Sequence, residues 1–139
     1  MYVIDTNVLS EVMKDEAHPA VAIWLRACPP EAMFTTAISR SEIIYGIRRL
    51  PDGAKRFRLD RAAQEMFAQE FSGRVLPFDA RAADIYADLR IVRAKGGRPL
   101  ATEDGMIAAI AKAQDATVVT RDVTGFEGCG VLLINPWDA

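Results

Sequence analysis

Four acidic side chains occupy comparable places in this 139-residue chain. Asp5 follows the apolar run Tyr2-Val3-Ile4, and Glu42 closes Ser39-Arg40-Ser41-Glu42. Asp104 stands shortly after Pro99-Leu100-Ala101, and Asp122 comes just after Thr117-Val118-Val119-Thr120. Each apolar run reads as a short strand or extended segment, and each acid opens or precedes a helical pattern. Brought to one place, these carboxylates would make an oxygen-rich site for a hard divalent cation, Mg²⁺ or Mn²⁺. Such a site activates water and offsets charge in phosphoryl chemistry, with no need of histidine.

Each acid also has a local explanation. Asp5 suits a helix cap. Ser39 with Glu42 fits the Ser-x-x-Glu capping box. Asp104 near a helix start complements the macrodipole, and Asp122 in Thr120-Arg121-Asp122-Val123-Thr124-Gly125 fits a turn. The four caps together predict carboxylates far apart, whereas a site predicts convergence. Convergence has a cost. Two carboxylates about 5 Å apart repel by roughly 3 kcal/mol at an effective dielectric near 20. Six such pairs would rival the ~5–15 kcal/mol that holds a domain together. A divalent cation relieves that repulsion directly.

The remaining composition excludes other chemistries. The single histidine, His18, stands beside Pro19 and reads as a solvated helix-start residue, so paired-histidine RNA cleavage is excluded. Cys28 and Cys129 lack metal-ligand spacing. No Gly-x-Ser-x-Gly elbow and no phosphate-binding glycine loop occurs. The net charge of −2 provides no long-range attraction to nucleic acid, although Arg48 to Arg61 and Arg90 to Arg98 are locally basic. The segment from Arg48 to Arg61 reads equally as a solvated helix face or as a contact for RNA or a partner. No apolar run approaches the ~20 residues of a membrane helix, and no leader pattern precedes the first strand. A cytoplasmic location without membrane association is the expectation.

The elements that would position the acids alternate. Strands are expected at Tyr2–Ile4, Ala32–Thr36, Arg74–Pro77, Thr117–Thr120 and Val131–Ile134. Helices are expected over Val8–Met13, Pro19–Ala27, Ser39–Arg49, Ala54–Phe71, from Asp79 to Gly96, and Thr102–Gln114. In the fifth helix Ala82, Ile85, Tyr86, Leu89 and Val92 keep the 3.6 period. Alternation of this kind predicts one α/β domain over residues 1–139 with a mainly parallel sheet. Such a sheet gathers strand ends along one edge, where all four acids could meet.

Val3-Ile4-Asp5-Thr6-Asn7, Glu42 early in its helix, Asp104-Gly105-Met106-Ile107-Ala108-Ala109-Ile110-Ala111 and Val118-Val119-Thr120-Arg121-Asp122 together resemble PIN-domain proteins. The ending Gly125-Phe126-Glu127-Gly128 and Ile134-Asn135-Pro136-Trp137 resembles VapC toxins of bacterial toxin–antitoxin pairs, in particular the FitB-like branch. The similarity runs through essentially the whole chain, in order. It implies a PIN-like fold, with a central mainly parallel sheet of about five strands and helices on both faces. It also implies a Mg²⁺- or Mn²⁺-dependent endoribonuclease that hydrolyses RNA and is held inactive by a VapB-like antitoxin. A homodimer within that complex is implied as well, with DNA contacted only through the antitoxin.

Carried over by position, Asp5, Glu42, Asp104 and Asp122 match the family's catalytic and metal-binding acids. Thr6, Asn7 and Thr120 match the polar positions beside them, suited to orienting ligands or water. The fourth acid is often Asn in similar toxins, which gives Asp122 an assisting role. Glu103 is an additional acid at a position commonly small. On this reading Met1–Asn7 is the central strand that delivers the first ligand, with Thr6 or Asn7 left to cap the helix. The alternative is a catalytically silent PIN-like module whose acidic pocket docks the antitoxin or another partner.

Overall fold

Residues 1–139 are described by a computed structural model. Val3, Ile4, Val118 and Val119 are all buried, so the strands that carry them are covered on both faces. That is the pattern of a parallel sheet sandwiched between helix layers. Strand β1 (Tyr2–Ile4) leads through α1 (Thr6–Val12), α2 (Pro19–Ala27) and a 3₁₀ turn to β2 (Met33–Thr36). Helices α3 (Ala37–Arg48) and α4 (Ala54–Glu65) then lead to β3 (Val75–Leu76). Helices α5 (Ala80–Lys95) and α6 (Thr102–Ala113) return the chain to β4 (Thr117–Val119), and the short α7 (Val123–Phe126) precedes β5 (Leu133–Ile134).

The five strands lie in the order β3-β2-β1-β4-β5, and every neighbouring pair is parallel. Tyr2, Val3 and Ile4 stand in register with Thr117, Val118 and Val119. Alternate side chains of a strand point to opposite faces. Val3 and Val118 therefore join Ala82, Leu89, Ile107 and Phe126 in one core layer. Ile4 and Val119 join Val8, Leu9, Ile43, Ile47 and Phe67 in the other. From β1 the chain first builds outward through β2 and β3, then crosses back to place β4 on the other side of β1. The connections after β1 and β4 thus depart in opposite directions, which opens a crevice at their carboxyl ends.

Three local expectations are corrected. Helix α3 begins at Ala37, two residues before Ser39, because Thr36 caps it and its hydroxyl accepts from the Ser39 amide. The Ser39–Glu42 capping box is therefore absent. The expected single helix Ala54–Phe71 is α-helical to Glu65 and π-helical over Met66–Glu70. Ala63, Met66, Phe67 and Phe71 are buried as the periodicity requires, but Phe57 is exposed beneath the Arg61 guanidinium. In α5 the inward position after Leu89 is Arg93 and not Val92, which is exposed.

Candidate active site

The carboxyl end of β1 delivers Asp5 into the crevice, and the residue is almost fully buried there. Its backbone turns out of the strand and Asp5 itself caps α1, with Oδ1 accepting from the Thr6 amide at 2.8 Å. Neither Thr6 nor Asn7 does the capping. The other oxygen, Oδ2, accepts from the Thr120 hydroxyl at 2.7 Å and the Asn7 amide at 3.4 Å. Thr120 Oγ1 accepts in turn from Asn7 Nδ2 at 3.2 Å and from the Asp122 backbone N–H at 3.0 Å. One hydroxyl therefore ties the end of β1 to the start of the loop after β4.

Glu42 reaches the same crevice from α3. The Thr6 hydroxyl donates to Glu42 Oε1 at 2.7 Å, and Thr6 Oγ1 lies 2.9 Å from Ser39 Oγ. Asp104 sits in the first turn of α6. Gly105 behind it permits close helix packing, since a Cβ there would lie 2.6 Å from Tyr86 and 2.7 Å from Leu100. Asp122 caps α7, with Oδ1 accepting from Thr124 Oγ1 at 3.1 Å and from the Gly125 amide at 3.2 Å. Asp104 and Asp122 meet over Gly125. A Cβ on that residue would lie 2.6 Å from Asp122 Oδ2 and 3.0 Å from Asp104 Oδ2.

Asp5, Glu42, Asp104 and Asp122 thus line one open cavity of about 450 Å³, together with Thr6 and Asn7. Four unrelated caps would have scattered these side chains. Burial first, and the neighbouring charges after it, raise the proton affinities of Asp5, Glu42 and Asp104. Burial and then the charges of Asp5, Asp122, Glu42 and Glu103 push Asp104 up to about 6 from an ordinary 3.8. Glu42 is raised by burial and by the charges of Asp5 and Glu103, against the lowering effect of the Thr6 hydrogen bond. Asp5 is raised by burial, with Asp122 adding to it, while the hydrogen bonds from Thr120 and Thr6 oppose the shift.

The donor set, carboxylates and hydroxyls with no histidine or cysteine, suits a hard divalent cation. No three of the acids close into a tight cage by themselves. A hard divalent ion commonly keeps several waters and takes only one or two protein carboxylates. The small residue at position 125 is what leaves Asp104 and Asp122 room to face each other.

Sequence reasoning placed seven polar residues here and missed others. Ser10, Glu11, Lys14, Arg121 and Trp137 also line the cavity, and Ser39 supports Thr6 from below. Arg121 lies between two residues already assigned to the site, and that adjacency was the one available signal. Ser10, Glu11 and Lys14 lie along α1 and just past its end, and only the packed helix shows which of them face the crevice.

The PIN-domain family profile matches residues 2–127 of this chain. VapC ribonuclease Y4jK of Sinorhizobium fredii is 38% identical over 138 residues, covering 99% of each chain. Toxin FitB of Neisseria gonorrhoeae is 36% identical over 137 residues, again covering 99% of each. The solved structure of FitAB bound to an IR36 DNA fragment superposes with a TM-score of 0.92 at 36% identity, over 99% of this chain and 96% of that one.

Proposed function

This chain belongs to the PIN-domain family, and from that premise we propose that it is a metal-dependent endoribonuclease toxin, a single domain over residues 1–139. Its substrate is RNA, and its partner is a VapB-like antitoxin with which it pairs as a homodimer. DNA is contacted only through that partner. The observation that carries this reading is the meeting of Asp5, Glu42, Asp104 and Asp122 at the switch point of a parallel sheet. Likeness to a VapC ribonuclease and to toxin FitB supports it, as does likeness to a FitAB complex on DNA.

Asp5, Glu42 and Asp104 hold Mg²⁺ or Mn²⁺, with Asp122 assisting. An ion held there would supply a water of lowered pKa and Lewis-acid polarisation of a phosphate oxygen. Thr120 and Asn7 fix the rotamer of Asp5 through Oδ2, and Thr6 fixes Glu42 through Oε1. These hydrogen bonds hold the carboxylates in place before substrate arrives, so little reorganisation is left for the reaction itself. Asp104 gives up its proton when the site is loaded, because a coordinating carboxylate must be ionised.

The test is RNA cleavage by the purified chain in Mg²⁺ or Mn²⁺. Asp5→Asn and Asp104→Asn are expected to remove cleavage while circular dichroism and melting behaviour stay those of a folded protein. Normal cutting by both variants would show that the site is assigned to the wrong residues. Absence of divalent-ion binding with antitoxin affinity intact would identify a silent docking module instead.

A further inference from the structure

Arg121 lines a cavity bounded by five carboxylates, Asp5, Glu11, Glu42, Asp104 and Asp122, yet pairs with none of them. The ion pairs of the molecule join Lys14 with Glu11, Arg56 with Asp52 and Arg98 with Glu127. What Arg121 does contact is Trp137, with the guanidinium carbon 4.9 Å from the ring centroid. A flexible arginine this close to several acids would be expected to swing toward them. Here it is held from both ends. The Arg121 backbone N–H donates to Asn7 Oδ1 at 3.2 Å, so its position is tied to the residue that also braces Asp5 and Thr120. The ring beneath the guanidinium is fixed as well. Asn135 Oδ1 accepts from the Trp137 amide at 2.9 Å, and the indole packs against the core layer of Ile4 and Val119.

The surroundings extend this contact into a trough. A second open cavity adjoins the acidic one and shares Glu11, Lys14, Arg121 and Trp137 with it, and His18 also lines it. The acidic centre therefore opens onto a lip that carries Lys14 and Arg121 beside Glu11 and Glu16. A polyanion approaching this acidic cavity needs a fixed cation beside the reacting position. The guanidinium suits that task, since it grips phosphate through paired N–H donors and stacks on an aromatic face without losing its charge. Lys14 is already engaged by Glu11, which leaves Arg121 as the free cation of the lip.

We infer that Arg121, held by stacking on Trp137, is a substrate-positioning residue that grips a backbone phosphate of the RNA beside the scissile bond. Trp137 acts through Arg121 and touches no reacting atom. The inference rests on the ribonuclease reading for its substrate, and it specifies which contact carries the electrostatic share of binding. Arg121 is exposed, so its replacement leaves the core intact.

The experiment compares Arg121→Gln, Arg121→Lys, Trp137→Leu and Trp137→Phe with the parent chain. Cleavage kinetics are measured in Mn²⁺, and binding of a fluorescent random-sequence single-stranded RNA 12-mer is measured in Ca²⁺ over a range of salt. Arg121→Gln is expected to raise KM and weaken binding by roughly tenfold, as for a lost hydrogen bond to a charged group. It should also reduce the slope of log affinity against log salt by about 0.7, the signature of one lost phosphate contact on a single strand. kcat and Mn²⁺ binding should stay near the parent values. Arg121→Lys should restore the salt slope but only part of the affinity, because an ammonium has no planar face to lay on the ring. Trp137→Phe should keep most of the RNA affinity, because a ring still lies beneath the guanidinium, and Trp137→Leu should raise KM further.

Unchanged RNA affinity and salt slope in Arg121→Gln would overturn the inference. So would a fall in kcat at constant RNA affinity, which would place Arg121 in the chemistry. A loss of antitoxin binding with RNA binding intact would make the pair a protein contact and equally refute it. Because RNA binding is read separately from cleavage, a parent chain that binds RNA through Arg121 but never cuts would disprove the ribonuclease reading and leave the trough standing.

Discussion

Asp104 shows how much one side chain depends on its neighbours. Its carboxyl is half-buried at a helix N-terminus, where the macrodipole favours the anion, yet its pKa rises to about 6. Burial and four neighbouring acids outweigh the dipole. The sign of the linkage follows. A carboxyl whose folded pKa lies above its ordinary 3.8 holds its proton more tightly in the folded state. The associated stability is present below pH ~4 and is lost as pH rises through about 6. Asp104→Asn removes this titration. In metal-free buffer the variant and the parent should melt together near pH 4, and the variant should melt higher by roughly 2–4 °C above pH 7. Equal melting temperatures across that range would mean that the carboxylates do not repel each other as described.

At the scale of elements, the short α7 does more than connect β4 to β5. Its cap is Asp122, and its glycine leaves the space in which Asp104 and Asp122 face each other. The chain that follows is anchored by Arg93 of α5, whose guanidinium donates to the carbonyls of Gly125 at 3.0 Å and Glu127 at 2.9 Å. Gly125→Ala therefore separates stability from site geometry. Alanine is favoured over glycine within a helix by about 1 kcal/mol, which offsets the cost of turning the Asp122 carboxyl away from the cap it makes on α7. The variant is expected to melt near the parent temperature while Mn²⁺ affinity and RNA cleavage fall at least tenfold. Retained metal affinity, measured by calorimetry, would contradict the account of Gly125.

For the whole molecule, the sheet order places the repelling acids at the one edge where the β1 and β4 connections diverge. The folded chain thus carries an electrostatic load that a divalent cation bound there would relieve. At about a hundredfold excess over its dissociation constant a ligand adds ~2.7 kcal/mol of stability. Mn²⁺ is accordingly expected to raise the melting temperature by roughly 5–10 °C at pH 7.5. The gain should shrink at pH 5, where the ion must displace the Asp104 proton. A gain independent of pH would place the ion elsewhere. No helix of the molecule is long and apolar enough to cross a membrane.

Much of this was legible before folding. Five apolar runs marked the strands, the alternation marked the sheet as parallel, and Asp5, Glu42, Asp104 and Asp122 each stood at a recognisable boundary. Those signals are local: side-chain period, capping chemistry and β-propensity act within a few residues, and sequence order preserves them. The sequence could not decide between a cap and a ligand, because both need an acid at a helix start. Asp5 is a cap as well as a member of the acidic cluster, so the two readings were never exclusive. Glu42 is not in a capping box at all, since Thr36 took that role from a position the pattern did not favour. Arg93 broke the apolar period of α5 because its charge is met by carbonyls more than thirty residues away, at Gly125 and Glu127. The meeting of Arg121 with Trp137, the room over Gly125 and the raised proton affinity of Asp104 all depend on segments distant in sequence. Tertiary packing alone set them, because a contact energy exists only once the two groups lie within a few ångströms of each other.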